Sequence, residues 1–184
     1  DSANPAAMEA GLCACNGRPV LNSVTGEDAK LSVILPLAKK YGAVVVGLTM
    51  DEAGLPDTAE RRLEIARKIV ERAEAFGLRR RDVVIDCLSL PVAVYPDQAA
   101  ETLKAVALVK RELGVRTMLG ISNISFGMPN RERINAAFLT MAIAAGLDLP
   151  ILNPESGQVT DALDAALLLC GAEQGMLRFL RRDE

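Results

Sequence analysis

The stretch VVIDCLSLPVAVYPDQAAETLKAVALVKRELGVRTMLGISN (residues 83–123) holds a complete strand–helix–strand unit. Residues 83–87 form a short, largely apolar segment that is rich in β-branched side chains, which predicts a buried strand. Residues 98–113 then predict a helix, because apolar side chains recur at helical spacing at Leu103, Val106, Val109 and Leu113. Residues 117–122 predict the next strand. Strands joined in this way pair in parallel through right-handed crossovers, with helices covering the sheet.

The same alternation continues along the rest of the chain. It predicts further strands over residues 19–22, 43–50 and 150–153, and further helices over residues 5–15, 26–41, 57–76, 131–146, 157–170 and 172–181. Asp57 and Glu60 have the spacing of a capping box at the start of one helix. In the helix over 131–146, the inward side chains are expected to be Ile134, Ala137, Met141 and Ala144.

About five strands and seven helices in this order favour a (β/α)8 TIM barrel. A doubly wound open sheet is the alternative, but no glycine-rich phosphate loop follows any strand. Because a full barrel needs about 250 residues, the 184-residue chain is expected to lack the first two to three β/α units. We expect residues 1–184 to form one barrel domain, truncated at its amino end.

The composition narrows the possible functions. A net charge of −3 disfavours a nucleic-acid surface. No apolar run is long enough to predict a membrane span, and the chain shows no secretion signal, so we expect a cytoplasmic protein. Cys13 and Cys15 form a Cys-x-Cys pair, which could indicate a metal or redox site. Two small apolar residues near a helix end is the favoured interpretation, since a closed zinc site would lack ligands here, and no metal is expected.

Polar side chains stand where the apolar runs stop. These residues are Asp1, Asn22, Asp86, Asn123 and Asn153. In an α/β barrel the carboxyl ends of the strands build the active site, so the five side chains are expected to face a ligand. The chain has no histidine, which disfavours mechanisms with a histidine base. The pattern therefore predicts a polar, planar ligand that is recognised by hydrogen bonds.

Individual residues suggest more specific roles. A carboxylate at Asp86 pairs well with two adjacent N–H groups, as an amino-pyrimidinone presents them; a structural hydrogen bond is the alternative. Asn22 and Asn123 each offer a donor and an acceptor, although an asparagine at a loop entry can simply bind the backbone. Arg131 and Arg133 could attract an anionic ligand tail or be solvated surface residues. Weaker polar candidates are Asn4, Ser122 and Ser125.

Several blocks of the sequence resemble a known family. They are DSANPAAMEAGL (1–12), LNSVTGE (21–27), GAVVVGLTMDEAGLP (42–56), VVIDCLSLPV (83–92) and LGISNISFGMPNRERINAAFLTMAIAAGLD (119–148). These blocks resemble the pterin-binding methyltransferases, which include the methyltetrahydrofolate:corrinoid protein methyltransferases and the folate module of cobalamin-dependent methionine synthase. The resemblance runs from residue 1 to about residue 154. It implies a (β/α)8 barrel that binds methyltetrahydrofolate in its mouth.

The resemblance also implies roles for single residues. Asp1, Asn22 and Asp86 would bind the pterin, with Asp86 on its amino-pyrimidinone edge. Asn123 would lie beside N5 as the catalytic residue, with Ser122 as a further pterin-binding residue. The residue matching the family's arginine close to the folate is Arg131, a candidate for binding the folate tail.

The reaction implied by the resemblance is transfer of the N5 methyl group of methyltetrahydrofolate to Co(I) of cobalamin or another corrinoid. The corrinoid would be carried by a partner protein, such as the corrinoid iron–sulfur protein, and the methyltransferase would be a homodimer. Two alternatives are the folate module of methionine synthase and a non-catalytic pterin-binding or assembly fragment. Dihydropteroate synthase is disfavoured, because it needs basic residues at the strand ends.

Overall fold

The computed structural model describes residues 2, 4–172 and 175–180, and so leaves the predicted pterin ligand Asp1 outside the described residues. The strands are β1 (Val20–Thr25), β2 (Val44–Leu48), β3 (Val83–Asp86), β4 (Arg116–Gly120) and β5 (Leu149–Ile151). The helices are α1 (Pro5–Ala14), α2 (Asp28–Lys40), α3 (Ala59–Ala75), α4 (Gln98–Leu113), α5 (Arg131–Ala144), α6 (Gly157–Leu169) and α7 (Gly175–Leu180). The predicted alternation of strands and helices is confirmed.

The five strands form one parallel sheet in the order β1-β2-β3-β4-β5. Strand order in space therefore follows strand order in the sequence. In a doubly wound sheet the order of the strands reverses at a switch point. In a barrel each new strand is added at the same edge of the sheet. The predicted barrel class is thus confirmed: the described residues form an arc of a barrel whose outer strands are β1 and β5.

The two faces of the sheet are packed differently. The outer face and the helices form a continuous core that includes Leu21, Val45, Ile85 and Leu119. On the inner face, the buried apolar residues Val46, Val84 and Met118 form a separate cluster. Because side chains alternate between faces along a strand, the inner face also receives Asn22, Asp86 and the position of Gly120. The inner face therefore carries the candidate site, while the outer face carries most of the apolar core.

Two predicted strand ends were wrong. Asn22 does not end β1, because the strand continues to Thr25 and buries Val24 among the helices. A shift in the β1–β2 register lies between Asn22 and Val24. The strand predicted to run to Ser122, just before Asn123, ends earlier. β4 ends at Gly120, and residues Ile121–Ser125 form a 3₁₀ helix.

The spacing of isoleucines explains this 3₁₀ helix. Ile121 and Ile124 are three residues apart and both are buried, and side chains at this spacing lie on the same side of a 3₁₀ helix. Ser122 and Asn123 consequently lie in this short helix, just beyond the strand.

The predicted inward face of α5 was wrong for three of its four residues, and only the fourth, Ile134, is partly buried against the core. Met141 is 56% exposed, and Ala137 and Ala144 are exposed as well. The buried side chains of α5 are Ala136, Phe138, Leu139, Ala142 and Ile143. The helix is apolar on nearly all sides, so its periodicity selects no face. Packing against α6 and the 3₁₀ helix Ile121–Ser125 decides which residues are buried.

The predicted capping box at the start of α3 was also wrong by one residue. Thr58 is the N-cap, and its Oγ1 accepts a hydrogen bond from the backbone N–H of Arg61 at 3.2 Å. The backbone N–H of Ala59, at the first helical position, donates to Glu101 Oε2 at 2.8 Å. A carboxylate from α4 therefore satisfies one of the free helix-end donors, and with Thr58 as N-cap the third helical residue is Arg61, which cannot complete a capping box.

None of the helices within the described ranges is both long enough and apolar enough to cross a membrane.

Candidate functional site

Asp86 is the last residue of β3 and lies on the inner face of the sheet. Its neighbours across the adjacent strands are Leu48 and Met118. The carboxylate Oδ1 accepts a hydrogen bond from the backbone N–H of Leu88 at 2.8 Å. The main-chain oxygen of Asp86 accepts hydrogen bonds from both the N–H and the hydroxyl of Thr49, each at 3.1 Å. Hydrogen bonds thus hold both the backbone of Asp86 and its carboxylate.

Burial raises the pKa of Asp86 to about 6, while the hydrogen bond from Leu88 and the charge of Arg62 partly oppose this shift. A carboxyl group with this pKa is about nine-tenths ionised at pH 7. It is therefore a desolvated acceptor at neutral pH. A ligand that donates N–H groups to it would lower the pKa and stabilise the charge.

Asn22 contributes an amide to the same inner face. It pairs with Val46 on β2, and Val46 pairs with Val84 on β3. Since neighbouring strands lie about 4.8 Å apart, Asn22 on β1 lies about 10 Å from β3. It is level with Val84, which is two residues before Asp86 on the same face of β3. Within the described residues its side-chain amide makes no hydrogen bond, so both its donor and its acceptor can serve a ligand.

Asn123 reaches the inner face from the 3₁₀ helix beyond β4. Its side chain folds back over Gly120: a Cβ atom on Gly120 would lie only 2.9 Å from Asn123 Nδ2. Gly120 pairs with Ile151 and occupies the inner position that follows Met118. The missing side chain at residue 120 is therefore what lets the Asn123 amide lie over the carboxyl end of β4.

Arg131 braces the segment that carries Asn123. Its Nε donates to Ser125 Oγ at 3.0 Å and its second guanidinium nitrogen donates to the main-chain oxygen of Ser122 at 2.8 Å. The guanidinium also lies 4.5 Å from the ring centre of Phe126, a favourable cation–π distance. Arg131, Ser122 and Asn153 line a cavity of about 330 Å³. Arg131 thus has a structural role in addition to its predicted contact with a ligand tail.

Two other polar candidates make local hydrogen bonds to the backbone, and a third lies apart from the site. Asn4 caps α1, since its Oδ1 accepts hydrogen bonds from the backbone N–H groups of Ala6 and Ala7. Asn153 Oδ1 accepts one from the N–H of Glu155 at 3.1 Å and so shapes the turn before α6. Arg133 lines a separate groove between α4 and α5 and does not join the inner-face side chains.

Cys13 and Cys15 are exposed at the end of α1 and both are free thiols. The sulfur of Cys13 lies 3.1 Å from the hydroxyl of Tyr41 on the neighbouring α2 helix end.

Four residues beyond the predicted candidates also shape the site. Gly120 and Thr49 position Asn123 and Asp86, and Leu88 has the left-handed φ of 61° from which its N–H reaches the Asp86 carboxylate. The fourth is Arg62, a fully buried arginine on α3. A signal for Arg62 exists in the sequence, because it shares the helical spacing of the buried residues Ala59, Ala66, Ile69 and Ala73.

Known proteins resemble this chain in both sequence and fold. Methylcorrinoid:tetrahydrofolate methyltransferase from Eubacterium limosum is 30% identical over 178 residues, which cover 95% of this chain and 65% of that protein. Methionine synthase from Mycobacterium leprae is 36% identical over 166 residues, which cover 83% of this chain and 14% of that protein. The chain therefore spans less than two thirds of the length of either relative.

A crystal structure of Yersinia pestis dihydropteroate synthase with a sulfonamide drug complex superposes with a TM-score of 0.67 at 15% identity, over 94% of this chain and 66% of that one. This likeness concerns the fold alone. The family described as "Pterin binding enzyme" matches residues 1–153, which is most of the chain and includes all of the inner-face candidates. The resemblance inferred from the sequence blocks is confirmed at the level of the family: this chain belongs to the pterin-binding enzymes.

Proposed function

We propose that this chain is the pterin-binding part of a methyltransferase, and that it transfers the N5 methyl group of methyltetrahydrofolate to Co(I) of a corrinoid on a partner protein. The observation that carries the proposal is Asp86, a desolvated carboxylate on the inner face with a pKa of about 6. Family membership and the methyltransferase names of the relatives support the same reaction class.

Asp86 suits the amino-pyrimidinone edge of a pterin. That edge presents an amino N–H and a ring N–H side by side, and a carboxylate can accept both, because its two oxygens offer about four lone-pair sites. The Leu88 N–H occupies one of these sites and leaves the others free. In this proposal the amides of Asn22 and Asn123 complete the recognition of the ring, together with Asp1 and Ser122.

The chemical step is a displacement at the methyl carbon. The Co(I) electron pair forms the new carbon–cobalt bond, the C–N5 bond breaks, and its electron pair goes to N5. N5 is a poor leaving group unless it is protonated or strongly hydrogen-bonded, so the proton must be on N5 or close to it. We assign this hydrogen bond to the Asn123 amide, which Gly120 allows to lie over the end of β4. Positioning and hydrogen bonding of this kind can remove several kcal/mol of barrier.

The reverse reaction is a second candidate. The Eubacterium limosum relative is named with the methylcorrinoid first and tetrahydrofolate second, which describes methyl transfer toward the pterin. The same side chains would serve both directions, because the forward and reverse reactions share one transition state. An assay in each direction decides which one this chain favours.

Two further alternatives keep the same site. As the folate module of methionine synthase, the chain would present its pterin to a cobalamin domain of the same polypeptide, which the Mycobacterium leprae relative supports. As a non-catalytic fragment, it would bind pterin without turnover, with the outer edges of β1 and β5 completed by other strands. A homodimer, a cytoplasmic location and a corrinoid iron–sulfur protein as partner remain predictions.

The test combines calorimetric titration with methyltetrahydrofolate and a methyl-transfer assay with Co(I) cobalamin. Asn123→Ala should lower the transfer rate about 100-fold, as loss of one transition-state donor does, with about threefold or less change in Kd. Asn16→Ala is the matched control, since Asn16 is an exposed amide in the loop before β1, at the opposite end of the sheet.

Equal losses of rate and affinity in Asn123→Ala would refute its catalytic role. Pterin binding by the unmodified chain without turnover in either direction would instead support the non-catalytic fragment.

A further inference from the structure

Arg62 of α3 is fully buried, with 0% of its surface exposed. A buried arginine is uncommon, because removing its charge from water is costly unless hydrogen bonds compensate. Burial lowers the pKa of Arg62, whereas the nearby Cys87, Glu101, Asp57 and Asp86 raise it. Arg62 is therefore a desolvated cation that faces acidic groups from β3, from α4 and from the loop before α3.

The direct partners of Arg62 are neutral. Its guanidinium donates to Thr102 Oγ1 at 2.7 Å and to Gln98 Oε1 at 2.6 Å. Among the described residues no carboxylate comes within ion-pair distance of it. Its charge is consequently not neutralised by a salt bridge and can act on groups that it does not touch.

Thr102 connects Arg62 to the turn that follows β3. Its hydroxyl lies 2.9 Å from the main-chain oxygen of Leu88 and 2.9 Å from that of Gln98. The backbone N–H of the same Leu88 donates to Asp86 Oδ1. Leu88 has a φ of 61°, a conformation that L-residues with bulky side chains adopt only when their surroundings hold it. Arg62, Thr102, Leu88 and Asp86 thus form one continuous chain of contacts, which runs from the buried pair Arg62 and Thr102 to the partly buried Leu88 and Asp86.

We propose that Arg62 and Thr102 are a positioning pair: Thr102 holds the Leu88 turn that aims the Asp86 carboxylate into the site, and Arg62 holds Thr102 and adds a buried positive charge that favours the carboxylate form of Asp86. The inference rests on the proposed function in that Asp86 is taken as the pterin ligand. Neither residue is assigned a contact with substrate.

The first experiment measures the ionisation of Asp86 without any ligand. Carbon-13 carboxyl shifts of the 184-residue chain are titrated with pH, and the wild-type midpoint is expected at about 6. Arg62→Met removes the charge but keeps the length, and should move the midpoint upward by about one pH unit. Arg62→Lys should return the midpoint most of the way. Arg67→Met is the control, because Arg67 is exposed on the same helix.

The second experiment measures the Kd for methyltetrahydrofolate across pH. Arg62→Met should bind about fivefold more weakly at pH 6 and show a smaller loss at pH 8, where Asp86 is largely ionised in both proteins. Thr102→Val keeps the charge but loses the hydroxyl, so its loss should be about fivefold and equal at both pH values. Thr102→Ser should restore binding. Thr140→Val is the control, because Thr140 makes a comparable bond to Ala136 on the exposed side of α5.

A folded Arg62→Met with an unchanged Asp86 midpoint would overturn the electrostatic role, and Thr102→Val with wild-type affinity would overturn the positioning role. If Arg62→Met does not fold, the variants Thr102→Val and Thr102→Ser still test the positioning role. Should the wild type not bind methyltetrahydrofolate while the Asp86 midpoint moves as expected, the proposed function fails and the control of Asp86 by Arg62 stands.

Discussion

The carboxyl ends of β3 and β4 present their polar groups in opposite ways. At β3, Asp86 is largely desolvated, is held by the Leu88 N–H, and is linked to the buried Arg62 through Leu88 and Thr102. At β4, Asn123 is exposed and uncharged, and it reaches the inner face because residue 120 is a glycine. Arg131 braces the surrounding segment from the surface.

The difference suggests a division of labour in the proposed reaction. A buried charge binds its partner strongly and in one orientation, because few other partners are available to it. An exposed amide binds less strongly but can adjust its hydrogen bonds as charge develops on N5. The β3 end is therefore expected to dominate affinity, and the β4 end to dominate the rate.

The largest effect should come from removing the charge at β3. Asp86→Asn keeps an acceptor for Leu88 but loses the carboxylate, so affinity for methyltetrahydrofolate should fall about 100-fold or more by calorimetry. An affinity within about threefold of wild type would mean that β3 is not the anchor.

The same variant separates loss of binding from loss of fold. Because burial raises the pKa of Asp86 to about 6, its ionisation opposes folding above that pH, and this penalty disappears as pH falls through 6 toward the unfolded value. At pH 8, Asp86→Asn should therefore have a free energy of unfolding roughly 1–3 kcal/mol greater than that of wild type. It should also unfold at a higher temperature. A lower unfolding temperature would point to structural damage instead.

The next largest effect should come from displacing the amide at β4. A Cβ on Gly120 would lie 2.9 Å from Asn123 Nδ2, so Gly120→Ala must move that side chain. The rate of methyl transfer should fall about 30-fold, less than on removing the amide, with little change in Kd. Single-turnover kinetics measure both quantities. A larger loss of affinity than of rate would assign Asn123 to pterin binding.

The pH dependence of wild-type binding should follow the β3 end alone. With a pKa of about 6 for Asp86, affinity should be nearly constant from pH 8 to 7 and fall about tenfold between pH 7 and 5. In Asn123→Ala the same acid-side fall should persist, because asparagine does not titrate. Titrations of both proteins in a buffer series check this, and a profile altered by Asn123→Ala would couple the two ends.

The smallest effect should come from the brace at β4. Arg131→Met removes the bonds to Ser122 and Ser125 and the contact with Phe126, which are partly exposed and worth about 1 kcal/mol. The transfer rate should fall about fivefold. If Arg131 also binds the folate tail, the loss of affinity should be greater for a polyglutamylated substrate than for a pterin without a tail.

The sequence predicted the order of strands and helices correctly, but it predicted the positions of single residues correctly only in part. Alternating apolar runs and helical periods were enough for the elements and the parallel barrel class. Asp86 was placed correctly at the end of its strand, but Asn22 lies within β1 and Asn123 lies beyond β4. The sequence could not predict the inward face of α5, because the helix has apolar residues on nearly all of its sides. The elements that pack against it determine which of these residues are buried.

What the sequence determined by itself is local: which segments form strands or helices, where the chain reverses, and that amides and a carboxylate follow the strands. Tertiary structure alone decided which groups meet. Gly120 matters because the Asn123 side chain returns over it, and Arg62 matters because α4 and the turn after β3 close around it. Such effects depend on distance and desolvation between segments far apart in the chain, which no local pattern encodes.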